Sequence, residues 1–395
     1  METTTFANRM RDLGGDVVAN MFALTEKADI ISFAGGIPSP DALPVERLRE
    51  LADEILRTSG KQVLQYATID GYGPLREWLA AWMAETGVQA KRENVLVTSG
   101  GQQGIDLAAK AFLNPGDCVL VERPTYLAAI PIFKTYEVRF GAVESDDEGI
   151  IPESFEEAIR RHHPRLLYVV PTFQNPTGVT IPADRRKAIA EMAGKHGVLV
   201  LEDDPYAKLR YDGDPAPSIA SFDDRGVSIF VGSFSKIVSP GLRVGYMVSP
   251  AHVQPRLAQC KQSTDFHTSN LSQRLIYEFC SRGYLGPHLE SIKSAYMVKR
   301  DAALRAMERY FPEGVRWTHP EGGLFVWAVL PEQIDTTELI KRASEKKVAF
   351  IPGVPFYFDD TGHNTMRLNF SNASLDALDE GLNRLGTVIK EAMGM

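Results

Sequence analysis

From about residue 44, apolar side chains recur at helical spacing. Leu48, Leu51, Ala52, Ile55 and Leu56 form one stripe, with Pro44 near its start and Gly60 as its expected stop. A second helix is predicted after Pro74. Between residues 94 and 248 the period changes, and short β-rich runs recur: NVLV, CVLV, VRFGAV, RLLYVV, VLVLE, VSIFV and RVGYMV. Most are separated by helical stretches such as GQQGIDLAAKAFL, PESFEEAIRRHH and ADRRKAIAEMAGKHG. That alternation predicts an α/β fold, a three-layer sandwich on a mostly parallel seven-stranded sheet. Only GSFSKIVSPGL separates the last two runs, so a long loop without a helix is expected there.

After residue 250 the strands give way to a helical tract from about His252 to Tyr310, broken around SRGYLGP. The remainder reads strand, strand, helix, strand, strand, helix: VRWTH, GLFVWAVL, TELIKRASEKK, VAFI, TMRLNF and SLDALDEGLNRLGTVIKEAM. A smaller α+β domain is expected from this run. The division is an N-terminal segment over 1–43 packing on the small domain and the active site, a large domain over 44–286, and a small domain over 287–395. With 395 residues the chain has room for two packed units.

Composition narrows the class. Apolar residues at 44% and charged residues at 24% describe a globular chain, and a net charge of -8 argues against a nucleic-acid surface. Cys118, Cys260 and Cys280 are too few and too scattered for a disulfide framework or a CxxC metal site, which suits the cytoplasm. METTTFANRMRDLGG lacks the apolar core of a signal peptide, and no apolar run approaches the ~18 residues of a membrane span.

The residues able to do chemistry cluster at predicted strand ends. Lys236 lies in GSFSK after VSIFV, flanked by Ser233 and Ser235, with Arg243 further along the loop. Alone it reads as a solvated loop lysine. Gln174-Asn175-Pro176-Thr177-Gly178 follows RLLYVV and makes a good turn in its own right. Glu202-Asp203-Asp204-Pro205-Tyr206 follows VLVL, where acids often serve as caps. The carboxyl ends of parallel neighbours meet at one edge, so the three form a convergent set. Ser99-Gly100-Gly101-Gln102-Gln103-Gly104 opens a helix and offers backbone N–H groups to an anion. Its glycine spacing fails the dinucleotide fingerprint, whereas a phosphate monoester suits the short turn.

Taken together, GGQQG, Tyr126, QNPTG, DDPY, SFSK with Arg243, and Arg367 in MRLNFS resemble the class I/II pyridoxal-phosphate aminotransferases of fold type I. The branch is similar to the 2-aminoadipate, kynurenine and aromatic aminotransferases, and the likeness runs from FAGGIPSP to RLNFSNAS. The resemblance implies pyridoxal 5′-phosphate as cofactor, with Lys236 holding its aldehyde as a Schiff base and then moving the α-proton. Asp203 would keep the pyridine nitrogen protonated, with Asp204 as the competing choice. Tyr206 and Asn175 would bond the ring oxygen, and Tyr126 would stack on the ring. Gly101, Gln102, Ser233, Ser235 and Arg243 would bind the phosphate. Arg367 would grip the substrate α-carboxylate, with Asn175 and Gly36 lining that end. Tyr66 matches the position from which a neighbouring subunit reaches the phosphate, which implies a homodimer.

The expected reaction is transamination between an L-amino acid and a 2-oxo acid such as 2-oxoglutarate. Where some 2-aminoadipate enzymes place an arginine, this chain has Ala19, with Met21 and Phe22 nearby and Arg9 and Arg11 upstream. Aromatic or large aliphatic donors are therefore expected to be favoured, with 2-aminoadipate possible. A lyase or decarboxylase of the same fold is the enzymatic alternative. A regulator's effector domain is disfavoured by the short stretch before SFAGG and by the acidic charge.

Overall fold

The computed structural model describes residues 6–10 and 29–395. The seven runs form one sheet: β1 (Val95–Thr98), β2 (Cys118–Glu122), β3 (Arg139–Val143), β4 (Leu166–Val169), β5 (Leu199–Asp203), β6 (Ser228–Ser233) and β7 (Gly245–Val248). Their order is β1-β7-β6-β5-β4-β2-β3. The pairs β2–β3, β2–β4, β4–β5 and β5–β6 are parallel, whereas β7 runs antiparallel to both β1 and β6. The short 234–244 connection explains β7: without a crossover helix, the strand returns in the opposite direction.

Successive side chains in a strand point to opposite faces, and the core divides accordingly. Leu167, Val169 and Val200 join Leu120 in one cluster with Phe155, Ile159, Ile189 and Ala193. These last four come from helices Pro152–His162 and Ala183–His196. Leu166, Tyr168, Leu201 and Val231 face the other way and pack with Ile105, Leu107 and Ala108 of helix α1 (Gly101–Phe112). All the strands but the edge strand β3 are thus covered on both faces, which is why they read as nearly continuous apolar runs.

The helix expected to stop at Gly60 instead runs over Val45–Val63, with its irregularity at Ser59 (φ -135°, ψ 16°). Burial of Val63 keeps the last turn in place. The tract after residue 250 breaks twice, giving α2 (Gln254–Gln262), a helix over Asn270–Ser281 and α3 (Leu285–Tyr310). The expected boundary after residue 286 falls in the first turn of α3.

A four-stranded antiparallel sheet follows, in the order Arg316–Trp317, Phe325–Val329, Thr365–Asn369, Ile351–Pro352. Val326 and Leu368 of this sheet join Ala303 and Met307 of α3, and Leu378 and Leu382 of helix Leu375–Met393, in one apolar cluster. VAFI is divided: Val348–Ala349 pairs in parallel with Ile31–Ser32, a strand that sequence periodicity did not signal. From that separate two-stranded pairing, residues 34–36 run to the carboxyl edge of the large sheet, where the Gly36 carbonyl meets Lys236. Among the described residues, no helix is long and apolar enough to cross a membrane.

Candidate active site

Strands β4, β5 and β6 end side by side, so the segments after Val169, Asp203 and Ser233 emerge at one edge. Thr98 and Ser233 both pair with Gly245, which brings the turn opening α1 to the same place. Glycine is required at this junction. A Cβ on Gly245 would lie 2.6 Å from the Gly100 carbonyl carbon, and one on Gly100 (φ +92°) would lie 2.3 Å from Arg243 Nη2. Arg243 itself has φ 52° and donates to the Ser99 carbonyl at 3.1 Å. A Cβ on Gly101 would sit 3.7 Å from Ser233 Cβ and 3.8 Å from Asp203 Oδ1. The helix N-terminus, Ser233 and Arg243 therefore lie together beside Asp203, with the Ser235 N–H donating to Ser233 Oγ at 3.1 Å.

Lys236 Nζ donates to the Gly36 carbonyl at 2.6 Å. Its pKa is pushed down to about 8, first by removal from water and then by Arg367 and Arg243, against the opposing pull of Asp203. Asp203 accepts the Tyr168 hydroxyl at 2.7 Å. Burial raises its carboxyl to about 7, with Asp204 adding to the rise and Tyr168 and Lys236 opposing it. Asp204 differs in its partners: it accepts the Thr172 hydroxyl and the Ala207 N–H, each at 3.0 Å, and feels the Arg186 cation. Glu202 faces away, accepting Ser218 Oγ at 2.6 Å and the N–H groups of Ile219 and Ala220.

Arg367 is buried and donates to Asn175 Oδ1 at 2.9 Å and to the Ala34 carbonyl at 2.7 Å. Its guanidinium stands 4.3 Å over the Phe325 ring and 5.2 Å from that of Phe356. Burial lowers its pKa to about 10, which leaves it cationic at neutral pH. The Tyr206 ring meets Phe325 edge-on at 5.8 Å. The Tyr206 phenol faces Asn175, and burial is the main cause of its raised pKa. Tyr126, raised to about 12 chiefly by burial, feels Asp203, Arg367 and Arg243. A Cβ on Gly36 would lie 3.9 Å from Arg367 Nη1, so this glycine lines the same wall.

Thus the structure gathers Gly36, Gly101, Tyr126, Asn175, Asp203, Tyr206, Ser233, Ser235, Lys236, Arg243 and Arg367 around the strand ends. Gln102 is in the first turn of α1 with an exposed side chain. Tyr66 stands apart, 79% exposed, with its ring edge against Phe266 and His267. Arg9 is exposed, and Arg11, Ala19, Met21 and Phe22 lie outside the described residues. Sequence reasoning missed Tyr168, which RLLYVV presents as one more apolar strand residue. It also missed Phe325 and Phe356, which lie far along the chain from the strand-end motifs.

Anion donors at one end, a carboxylate beside them and a lysine with a depressed pKa suit a ring bearing a phosphate, a basic nitrogen and an aldehyde. The family described as aminotransferase class I and II matches residues 28–385. This chain belongs to that family. It is 41% identical to aromatic-amino-acid aminotransferase 1 of Thermococcus litoralis, over 98% of this chain and 94% of the relative. Among solved structures, it is similar to Pyrococcus horikoshii kynurenine aminotransferase in complex with PMP, at TM-score 0.94 and 42% identity, covering 98% and 97% of the two chains. The α-aminoadipate aminotransferase of Thermus thermophilus, complexed with N-(5′-phosphopyridoxyl)-L-leucine, superposes at TM-score 0.93 with 38% identity, covering 98% of each chain. The chain is a fold type I aminotransferase, and its cofactor is pyridoxal phosphate.

Proposed function

We propose that this aminotransferase takes aromatic or large aliphatic L-amino acids as donors and a 2-oxo acid such as 2-oxoglutarate as acceptor. The observation that carries the reading is Arg367 set over Phe325 and Phe356: a carboxylate anchor whose surroundings are aromatic. The aromatic and kynurenine aminotransferases named among the relatives support it. Large side chains gain about 1.5–3 kcal/mol by burial on such a wall, while an unpaired carboxylate there is penalised. The test is the ratio of kcat/KM for phenylalanine or leucine to that for 2-aminoadipate under one acceptor. A value well above one is expected, and a value well below one overturns the apolar reading.

When bound, pyridoxal phosphate supplies a carbonyl that amines condense with and a ring that takes up electrons from the breaking Cα–H bond. In this reading Ser233, Ser235, Arg243 and the N–H groups at Gly101 and Gln102 hold the phosphate. Asp203 pairs with the ring nitrogen; Asp204 is already committed to Thr172 and Ala207. Asn175 and Tyr206 would hold the ring oxygen, and Tyr126 would stack on the ring. Arg367 fixes the α-carboxylate through a bidentate fork, with Asn175 and Gly36 beside it. Lys236 would hold the aldehyde and, when free, would move the α-proton at its Nζ. A pKa near 8 lets its Nζ accept that proton close to neutrality.

We further propose a homodimer in the cytoplasm. Class I/II aminotransferases are typically dimeric, and Leu64 (73%), Tyr66 (79%) and Phe266 (42%) are exposed together. Tyr66 then reaches the partner's phosphate from that surface. The unpaired cysteines suit a reducing compartment. An active monomer by light scattering overturns the dimer.

A further inference from the structure

Behind the phosphate cup lies a second buried ammonium. The Lys261 side chain, at the end of α2, is 0% exposed. Its Nζ donates to Gln103 Oε1 at 2.7 Å and to the two carboxylate oxygens of Asp265 at 2.9 and 3.0 Å. Both acceptors lead to the turn that opens α1. Gln103 Oε1 also accepts the Ser99 N–H at 2.8 Å, and Asp265 Oδ2 accepts the Ser99 hydroxyl at 2.7 Å. The Ser99 carbonyl takes the Arg243 hydrogen bond from the opposite side. Ser99 is therefore held at its N–H, its hydroxyl and its carbonyl, immediately before the glycines that face the cup.

This arrangement has a physical use. Backbone N–H groups at a helix start attract a phosphate only when they all point at it, and the two glycines that follow Ser99 resist rotation weakly. Fixing the residue before them removes that freedom in advance, so less entropy is lost when the anion binds. A buried ammonium is costly unless paired, and here both of its partners are also partners of the turn. We propose that Lys261, acting through Gln103 and the Asp265–Ser99 pair, is a positioning residue that sets the enzyme's affinity for the phosphate of its cofactor. The inference rests on the reading that places the phosphate at this turn.

The measurement is the Kd of the cofactor-free protein for pyridoxal 5′-phosphate and, separately, for pyridoxal, which lacks the phosphate. Lys261→Met should raise the first by about tenfold and leave the second within about twofold, since charge-assisted hydrogen bonds of this kind are worth factors of ten or more. Asp265→Asn, at a side chain 29% exposed, keeps the protein folded if Lys261→Met does not, and should raise the first Kd by about threefold. Equal weakening for both ligands would assign the cluster to general stability and overturn the proposal, as would an unchanged ratio in both variants. Arg243→Gln and Ser233→Ala distinguish the placement of the phosphate from the positioning role of Lys261. If they also leave the ratio unchanged, the phosphate placement is wrong; if they lower the discrimination while the Lys261 and Asp265 variants do not, only the present inference falls.

Discussion

Two lysines of this chain are withdrawn from water, and their surroundings act on their charge in opposite directions. Lys261 has a carboxylate, Asp265, within 3.0 Å and a side-chain amide at 2.7 Å. Lys236 has one carbonyl at 2.6 Å and feels two guanidinium groups against one carboxylate. Burial lowers both pKa values, but at Lys261 the Asp265 charge pulls back, whereas at Lys236 Arg367 and Arg243 push further down. Burial alone therefore does not make a lysine reactive. What distinguishes the site is an excess of positive neighbours, which favours release of the proton.

Removing the reactive member should produce the largest effect. Lys236→Ala is expected to lower transamination by at least 10²–10⁴-fold and to abolish the borohydride-stable attachment of cofactor. A peptide map that finds the label on another lysine, Lys261 included, breaks the comparison. Asp203→Asn comes next, with roughly a 10²-fold loss in α-proton removal as its expected outcome. Its stability effect should have the opposite sign. Above pH 7 the native protein buries an ionised Asp203 at a cost, so at pH 8 the cofactor-free variant should melt higher, by about 2 °C. Damage confined to Asp204→Asn would move the role one residue along.

Lys236 also leaves a trace in pH dependence. Its folded pKa of about 8 lies below its ordinary value of 10.5, so between those values the unfolded chain binds the extra proton. The cofactor-free protein should gain stability from this group as pH rises through that window. Lys236→Met should flatten the rise in a series of melts from pH 7.5 to 10, and a rise that persists unchanged assigns it elsewhere.

The legible and the hidden parts of the molecule divide along the same lines. Six strands of the large sheet could be read because burial on both faces leaves them as nearly continuous apolar runs; the edge strand β3, with Arg139 exposed, shows itself by β-rich composition alone. The convergence of Asn175, Asp203 and Lys236 then followed from parallel neighbours ending together. Alternation also separates Glu202 from Asp203: Val200 and Glu202 share one face, while Leu201 and Asp203 share the other with Tyr168. It does not reach Asp204, one residue past the strand, whose commitment to Thr172 and Ala207 becomes visible only in three dimensions. Lys261 and Asp265 were illegible for a related reason. CKQSTD has the polarity of a solvated helix end, and nothing local reports that a turn more than 150 residues away covers it.

The smallest expected effect sharpens the comparison most, because it changes one hydrogen bond and no charge. Tyr168 donates to Asp203 at 2.7 Å, and that bond favours the ionised carboxylate. Asp203 has a folded pKa near 7 against an ordinary value of 3.8. Between these the native state holds a proton that the unfolded chain has lost, so the stability this group contributes is present at acid pH and is lost as pH rises through about 7. Tyr168→Phe removes the donor, raises the carboxyl further and should displace that loss toward higher pH. With the ring nitrogen less firmly paired near neutrality, cofactor affinity should weaken about threefold at pH 7 and recover by pH 9 as Asp203 ionises. Melts of the cofactor-free variant and cofactor titrations over the same pH range check both halves. A weakening of equal size at every pH would make Tyr168 a packing residue and leave the charges around Lys236 to set the state of Asp203.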